Sequence, residues 1–409
     1  MDEHRHEPLV NRRAWLSQAA AVVGVAVGEA MLGPVRAEEP SPPADPTKVP
    51  GSPPSGYGQR SAFEASTRVG RSWWSSLTPL QDLHGIVTPA SLHFERHHNG
   101  IPTIDPSRHR LLVHGLVERP LIFTVEELKR FPSVSRLLFI ECSGNSAPEW
   151  RTSNGQTAQQ THGLTSTNEW TGVPLSTILE EVGVKREGTW MLAEGSDAAA
   201  MTRSLPLADI LGDALLCYAQ NGEALRPEQG YPLRLVIPGW EGNTCIKWLR
   251  RLKLGTAPFM TREETSQYTD LMPDGTARQF TMVMEAKSVI TSPSGGQTIL
   301  PGFIEIRGLA WSGRGTITKV EVSTDGGRSW EQARLQEPVL SKCHTRFRFP
   351  WRWDGTETIL QSRCTDETGY VQPSRAALVA VRGVNSVYHY NAIQSWKISP
   401  VGQITNIHI

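Results

Sequence analysis

This sequence is short of cysteine, of net charge and of long apolar runs, and each shortage excludes a class of protein. Five cysteines stand in 409 residues: Cys142, Cys217, Cys245, Cys343 and Cys364. No two of them share a C-x-x-C or C-x-x-C-H spacing, which excludes a zinc ribbon, a thioredoxin motif and a covalently attached c-type haem. An odd, sparse set also argues against a disulfide scaffold, leaving open one bridge between Cys343 and Cys364. Lys plus Arg and Asp plus Glu both number 41, a formal net charge of zero. No global field therefore draws nucleic acid or an anionic membrane, and any anion site must be local. No apolar run approaches the roughly 20 residues that span a bilayer, and no repeat of solenoid length is present.

What remains is enough chain for two well-formed cores. Asn11-Arg12-Arg13-Ala14-Trp15-Leu16 precedes a modestly apolar stretch and the small-residue boundary Val35-Arg36-Ala37. Residues 1–37 read as a twin-arginine signal peptide, which implies periplasmic export of an already folded chain. Residues 38–60 are rich in Pro, Ser and Gly and read as a linker or arm, because they hold too little apolar surface to offset ordering entropy. Over residues 61–275 short apolar runs alternate with helical signals, an α+β pattern. Thr124-Val125-Glu126-Glu127 is a capping box that predicts a helix start, stopped by Pro132. A second helix is predicted over 175–182, ended by Gly183, and 137–141 and 233–237 read as buried strands. Over 276–409 the segments 303–309, 317–323, 346–353, 358–364 and 376–381 read as short strands. With a tight hairpin turn at Thr324-Asp325-Gly326-Gly327 they predict an all-β immunoglobulin-like sandwich.

Three loops carry chemistry. Ile140-Glu141-Cys142-Ser143-Gly144-Asn145-Ser146 puts a cysteine at the end of a predicted strand on a turn of small residues. Both a buried inert thiol and a thiolate ligand to a soft or high-valent metal fit that placement. In His93-Phe94-Glu95-Arg96-His97-His98 the spacing of His93 and His97 would suit a helical zinc pair. Gly100 and Pro102 oppose the helix, so a loop binding phosphate or an oxyanion through Arg96 fits better. The third group runs from Gln229-Gly230-Tyr231-Pro232-Leu233-Arg234 to Gly242-Asn243-Thr244-Cys245-Ile246-Lys247-Trp248, interleaving glycines with cations that could cradle a phosphate.

In order and spacing these segments resemble the sulfite oxidase family, from about residue 86 to the C-terminus. The resemblance implies a sulfite oxidase-type molybdopterin-binding domain, with molybdenum and molybdopterin as cofactor and Cys142 as the protein ligand to molybdenum. It implies that His97, His98, Asp197, Gln229, Arg234, Asn243, Thr244 and Lys247 hold the cofactor, with Asp197 taken from Glu194-Gly195-Ser196-Asp197. It also implies that Arg96, Tyr268 and Arg382 reach the substrate, Arg382 lying in the family's Arg382-Gly383-Val384 segment. Ala310-Trp311-Ser312-Gly313 and Asp325-Gly326-Gly327 match its second, dimerisation domain.

Four positions depart from the family. Ser146 stands for an anion-binding arginine, His162 for a lysine, Ser166 for a pocket tryptophan and Gln229 for a pterin histidine. Fewer fixed cations and a missing ring suit a substrate longer than free sulfite. Together with Tyr57-Gly58-Gln59-Arg60-Ser61-Ala62-Phe63-Glu64, they resemble the branch of the family that oxidises sulfane sulfur on the cysteine of a carrier protein. With no haem motif here, that resemblance implies a separate c-type cytochrome subunit as electron acceptor, in a homodimer or a heterotetramer.

Overall fold

The computed structural model describes residues 50–153 and 157–409, so the signal segment 1–37 and most of the linker lie outside the described residues. The chain divides into two units, 1–61 and 62–409. In the first, residues 50–61 form no helix or strand and are exposed.

The second unit contains two mixed layers and a sandwich. One five-stranded sheet has Leu249–Gly255 near its centre, parallel to Leu111–Gly115 and antiparallel to Trp190–Gly195. Helix Leu175–Val182 buries Leu175, Ile178, Leu179 and Val182, one face of a 3.6-residue period. It ends at Gly183, whose φ of 66° takes the left-handed conformation that closes a helix at low steric cost. The capping box at Thr124 forms as predicted, starting a single turn, Val125–Leu128. The other sheet pairs Val134–Glu141 along its full length with Thr165–Pro174, which in turn pairs with Leu215–Gln220. That pairing ends the cysteine strand at Glu141.

The sandwich stacks a four-stranded sheet containing Lys287–Ser292, Gly302–Trp311 and Thr345–Trp353 on a five-stranded one containing Ile317–Ser323, Thr358–Asp366 and Ser395–Ile398. Both are antiparallel, and their inner faces share one core around Trp311, Phe347 and Trp396. Two expectations are corrected here. Segment 376–381 is helical, within Arg375–Arg382: Ser374 caps it by accepting from the Ala377 amide, and its buried residues Leu378 and Arg382 are four apart, a helical spacing. The turn at 324–327 is a wider loop, because pairing resumes only at Val322 with Glu331 while Asp325 binds the amides of Arg328 and Ser329.

The sandwich meets the first two layers where two glycines face each other. A Cβ on Gly313 would lie 2.0 Å from the Gly239 carbonyl oxygen, and one on Gly239 would lie 2.4 Å from that of Gly313. Only residues without side chains allow this approach.

Candidate active site

The cysteine turn is anchored by a buried carboxylate. Glu141, wholly buried, accepts from Lys287 Nζ at 2.9 Å, Trp311 Nε1 at 2.6 Å and Asn145 Nδ2 at 2.9 Å. Two of those donors come from the sandwich. The next residue, Cys142, is half-buried and lines a cavity. Burial pushes its thiol up, against the opposing pull of Arg96 and the Gly144 amide. Without a metal it stays protonated, and a metal would displace the proton.

Ten of the residues singled out from sequence share this cavity wall. Arg96 stands exposed beside Cys142, its guanidinium donating to the His97 carbonyl. His98 Nε2 meets Tyr268 Oη at 2.9 Å. Burial, then Arg96 and Lys247, lower His98 to about 4, while burial and the nearby Cys142 raise Tyr268. The neutral imidazole thus accepts from a phenol that keeps its proton. Across the cavity Lys247 Nζ reaches His97 Nδ1 at 2.7 Å and the carbonyls of Arg96 and Glu228 at 3.2 and 3.1 Å. Arg234 lies 5.1 Å from the Trp170 ring centroid and donates to both oxygens of Gln229. Asp197 and Asn243 complete the wall, Asn243 donating to Ser143 Oγ at 3.0 Å.

Two expected members are absent from it. Thr244 is turned inward and donates to the Glu241 carbonyl at 2.7 Å. Arg382 does not line the cavity: Asp270 at 3.2 Å and Glu285 at 3.0 Å take its two ends, so its charge is already spent within the protein. The zinc pairing of His93 with His97 also fails, because the segment is extended and the rings turn to different partners, Asn168 and Glu95. Conversely His93, Met201, Cys245 and Trp248 line the cavity although sequence singled out none of them as a site residue. Of these, Cys245 and Trp248 carried a signal, lying in the motif of Lys247, and His93 was weighed only as half of a zinc pair.

Chemically, the wall asks for an anionic, hydrogen-bonding guest. Arg234 Nε, His93 Nε2 and Asn243 Oδ1 are buried without a partner. Among the described residues, neither Arg234 nor Lys247 has a carboxylate within ion-pair distance. The sulfite oxidase of Gallus gallus is 31% identical over 329 residues, covering 73% of this chain and 71% of that protein. This chain belongs to the sulfite oxidase family. The Oxidoreductase molybdopterin binding domain matches residues 98–263, and the Mo-co oxidoreductase dimerisation domain residues 278–396. The nitrate reductase [NADH] of Ulva prolifera is 28% identical over 382 residues, but the match spans only 44% of its length. Among solved structures, the sulfane dehydrogenase SoxCD from Paracoccus pantotrophus superposes with a TM-score of 0.83 at 46% identity, over 87% of this chain and 96% of that one.

A member of this family is a molybdopterin oxidoreductase, and its cofactor is molybdenum with molybdopterin. The donor set fits that group: a thiol for the metal, and unpartnered cationic and polar groups for a phosphate-bearing pterin. All five cysteines are free thiols, Cys343 and Cys364 included.

Proposed function

We propose that this chain is the molybdenum subunit of a periplasmic sulfane dehydrogenase, like SoxC. It oxidises sulfane sulfur carried on the cysteine of a partner protein and passes electrons to a SoxD-like c-type cytochrome. The observation that carries the reading is the likeness to SoxCD over almost the whole of that chain. The departures support it: Ser146, His162 and Ser166 are buried, stand off the cavity wall and bring it no charge. Burial, with Lys287 nearby, holds His162 well below its ordinary value, hence neutral. Residues 61–275 form the catalytic domain and 276–409 the dimerisation domain, in a homodimer or a heterotetramer with the cytochrome. Residues 1–37 direct export by the twin-arginine route.

Cys142 would hold the molybdenum; His97, His98, Asp197, Gln229, Arg234, Asn243 and Lys247 would hold the pterin and its phosphate. When bound, the cofactor supplies two-electron oxidation with oxygen transfer at sulfur. Arg96, at the mouth, binds the anionic, partly oxidised sulfur. Tyr268 fixes its orientation, and His98 holds the phenol in place through Oη.

Steady-state assays of the purified enzyme with a cytochrome acceptor test the reading. Carrier-bound sulfane should be used with the higher kcat/KM, and a preference for free sulfite would reassign the chain. Cys142→Ser should abolish turnover while the fold survives; wild-type activity would refute the ligand role.

A further inference from the structure

His93 is wholly buried, yet it is not a satisfied core histidine. Its ring lies against Phe94 at 4.9 Å and edge-on to Trp170 at 5.8 Å, the same indole that carries the Arg234 guanidinium. Its tautomer follows from its neighbour. Asn168 Nδ2 is spent on the Thr88 carbonyl at 2.6 Å, so Oδ1 is the atom that meets His93 Nδ1. Nδ1 therefore carries the hydrogen; the Gln220 amide approaches it only at 3.4 Å. Nε2 is left as a buried bare acceptor with no partner in a residue that lines the cavity, and Arg234 Nε shares that condition. The charged groups that act most on the ring are the cations Arg234, Lys247 and Arg68, the last paired with Glu95 and Glu228.

We infer that His93 belongs to the anion subsite of the cofactor, where its Nε2 shares one proton with the phosphate monoester that Arg234 and Lys247 attract. A lone pair set against phosphate oxygens repels them; a proton between the two turns the contact into a charge-assisted hydrogen bond. Burial and the three cations hold the imidazole well below its ordinary value when no anion is present. A phosphate, whose second ionisation lies near about pH 6, reverses that field. The proton comes from solvent or from the monoester monoanion and returns on release, and no covalent bond changes. The inference rests on the assignment of Arg234 and Lys247 to the cofactor, and is independent of which sulfur compound is oxidised.

The test follows cofactor loss from the holoenzyme, read as released pterin fluorescence and retained molybdenum between about pH 6 and about pH 9. In the wild type, release should quicken with rising pH, by up to about tenfold per unit once the shared proton is lost. His93→Phe should purify with much less pterin and molybdenum, and lose the remainder at a pH-independent rate. His93→Gln, whose amide can donate at the same place without titrating, should keep most of its cofactor but show the same flat profile. Wild-type loading together with wild-type pH dependence in either variant overturns the inference. If the phenylalanine variant does not fold by circular dichroism, the glutamine variant alone decides.

Discussion

Two sets of buried cations differ in one respect. At the junction with the sandwich, Arg203 bridges Glu241 at 3.1 Å and Glu264 at 2.8 Å, Arg382 bridges Asp270 and Glu285, and Lys287 meets Glu141. His389 closes the chain between Glu241 at 2.7 Å and Glu285 at 3.1 Å, and its amide donates to the Ser143 carbonyl beside Cys142. At the cavity, Arg234 is as buried and Lys247 partly so, yet both meet only neutral oxygens, nitrogens and rings. Taking a cation out of water costs several kcal/mol and is recovered only with a counter-charge. The junction contains its counter-charges; the cavity must import one. The missing partner, more than burial, separates site from scaffold.

Removing a junction cation should have the largest effect. Arg203→Met leaves the buried Glu264 without its cation and Glu241 with His389 alone, a cost of about 3–5 kcal/mol. Urea denaturation measures it, and a loss below about 1 kcal/mol would show that the network does not hold the junction. A pH titration probes the same network without mutation. Burial alone would lower His389, but Glu285 and Glu241 outweigh it and raise the group to about 10. Its folded value lies above its unfolded one, so this stabilisation is fully present below about pH 6.5 and is lost as pH rises through about 10. Thermal unfolding should fall across that window, and His389→Gln should flatten the fall.

The cavity should respond in the opposite sense. Arg234→Met removes a buried cation that has no carboxylate, so the cofactor-free protein should unfold no more easily than the wild type. Cofactor content should drop, by roughly tenfold to a hundredfold in affinity for the loss of one charge-assisted hydrogen bond, about 1.5–3 kcal/mol. Molybdenum analysis beside a melting curve separates the two effects. A variant that melts early but stays loaded would place Arg234 with the junction and erase the distinction.

Sequence showed one side of this comparison better than the other. The cavity loops were legible because their cations and glycines run in contiguous strings, from Gly230 to Arg234 and from Gly242 to Lys247. Helix Leu175–Val182 was legible because its apolar period and its closing glycine agree. Segment 376–381 was misread because a run of Ala, Leu and Val carries no clear period, and only the Ser374 cap and one buried stripe decide for helix. The junction was illegible because it is assembled from afar. The partners of His389 lie 148 and 104 residues upstream, and those of Arg382 lie 112 and 97 upstream. The family resemblance implied a substrate role for Arg382, and nothing local in the sequence announced its two carboxylates. His93 was discounted as a zinc ligand for a sound local reason, while its actual setting depends on Asn168, 75 residues away.

An exposed ion pair provides the smallest test and the control for the other three. Arg119 and Glu181 meet at 3.2 Å, with 63% and 42% of their side chains exposed. Water solvates both groups whether or not they touch, so Arg119→Ala should cost less than about 1 kcal/mol. If burial sets the cost of losing a counter-charge, Arg203 and Arg119 must differ by more than the factor of two expected from two glutamate partners against one. A similar loss at both would mean that pairing matters irrespective of surroundings. The bare cations of the cavity would then no longer point to an imported anion.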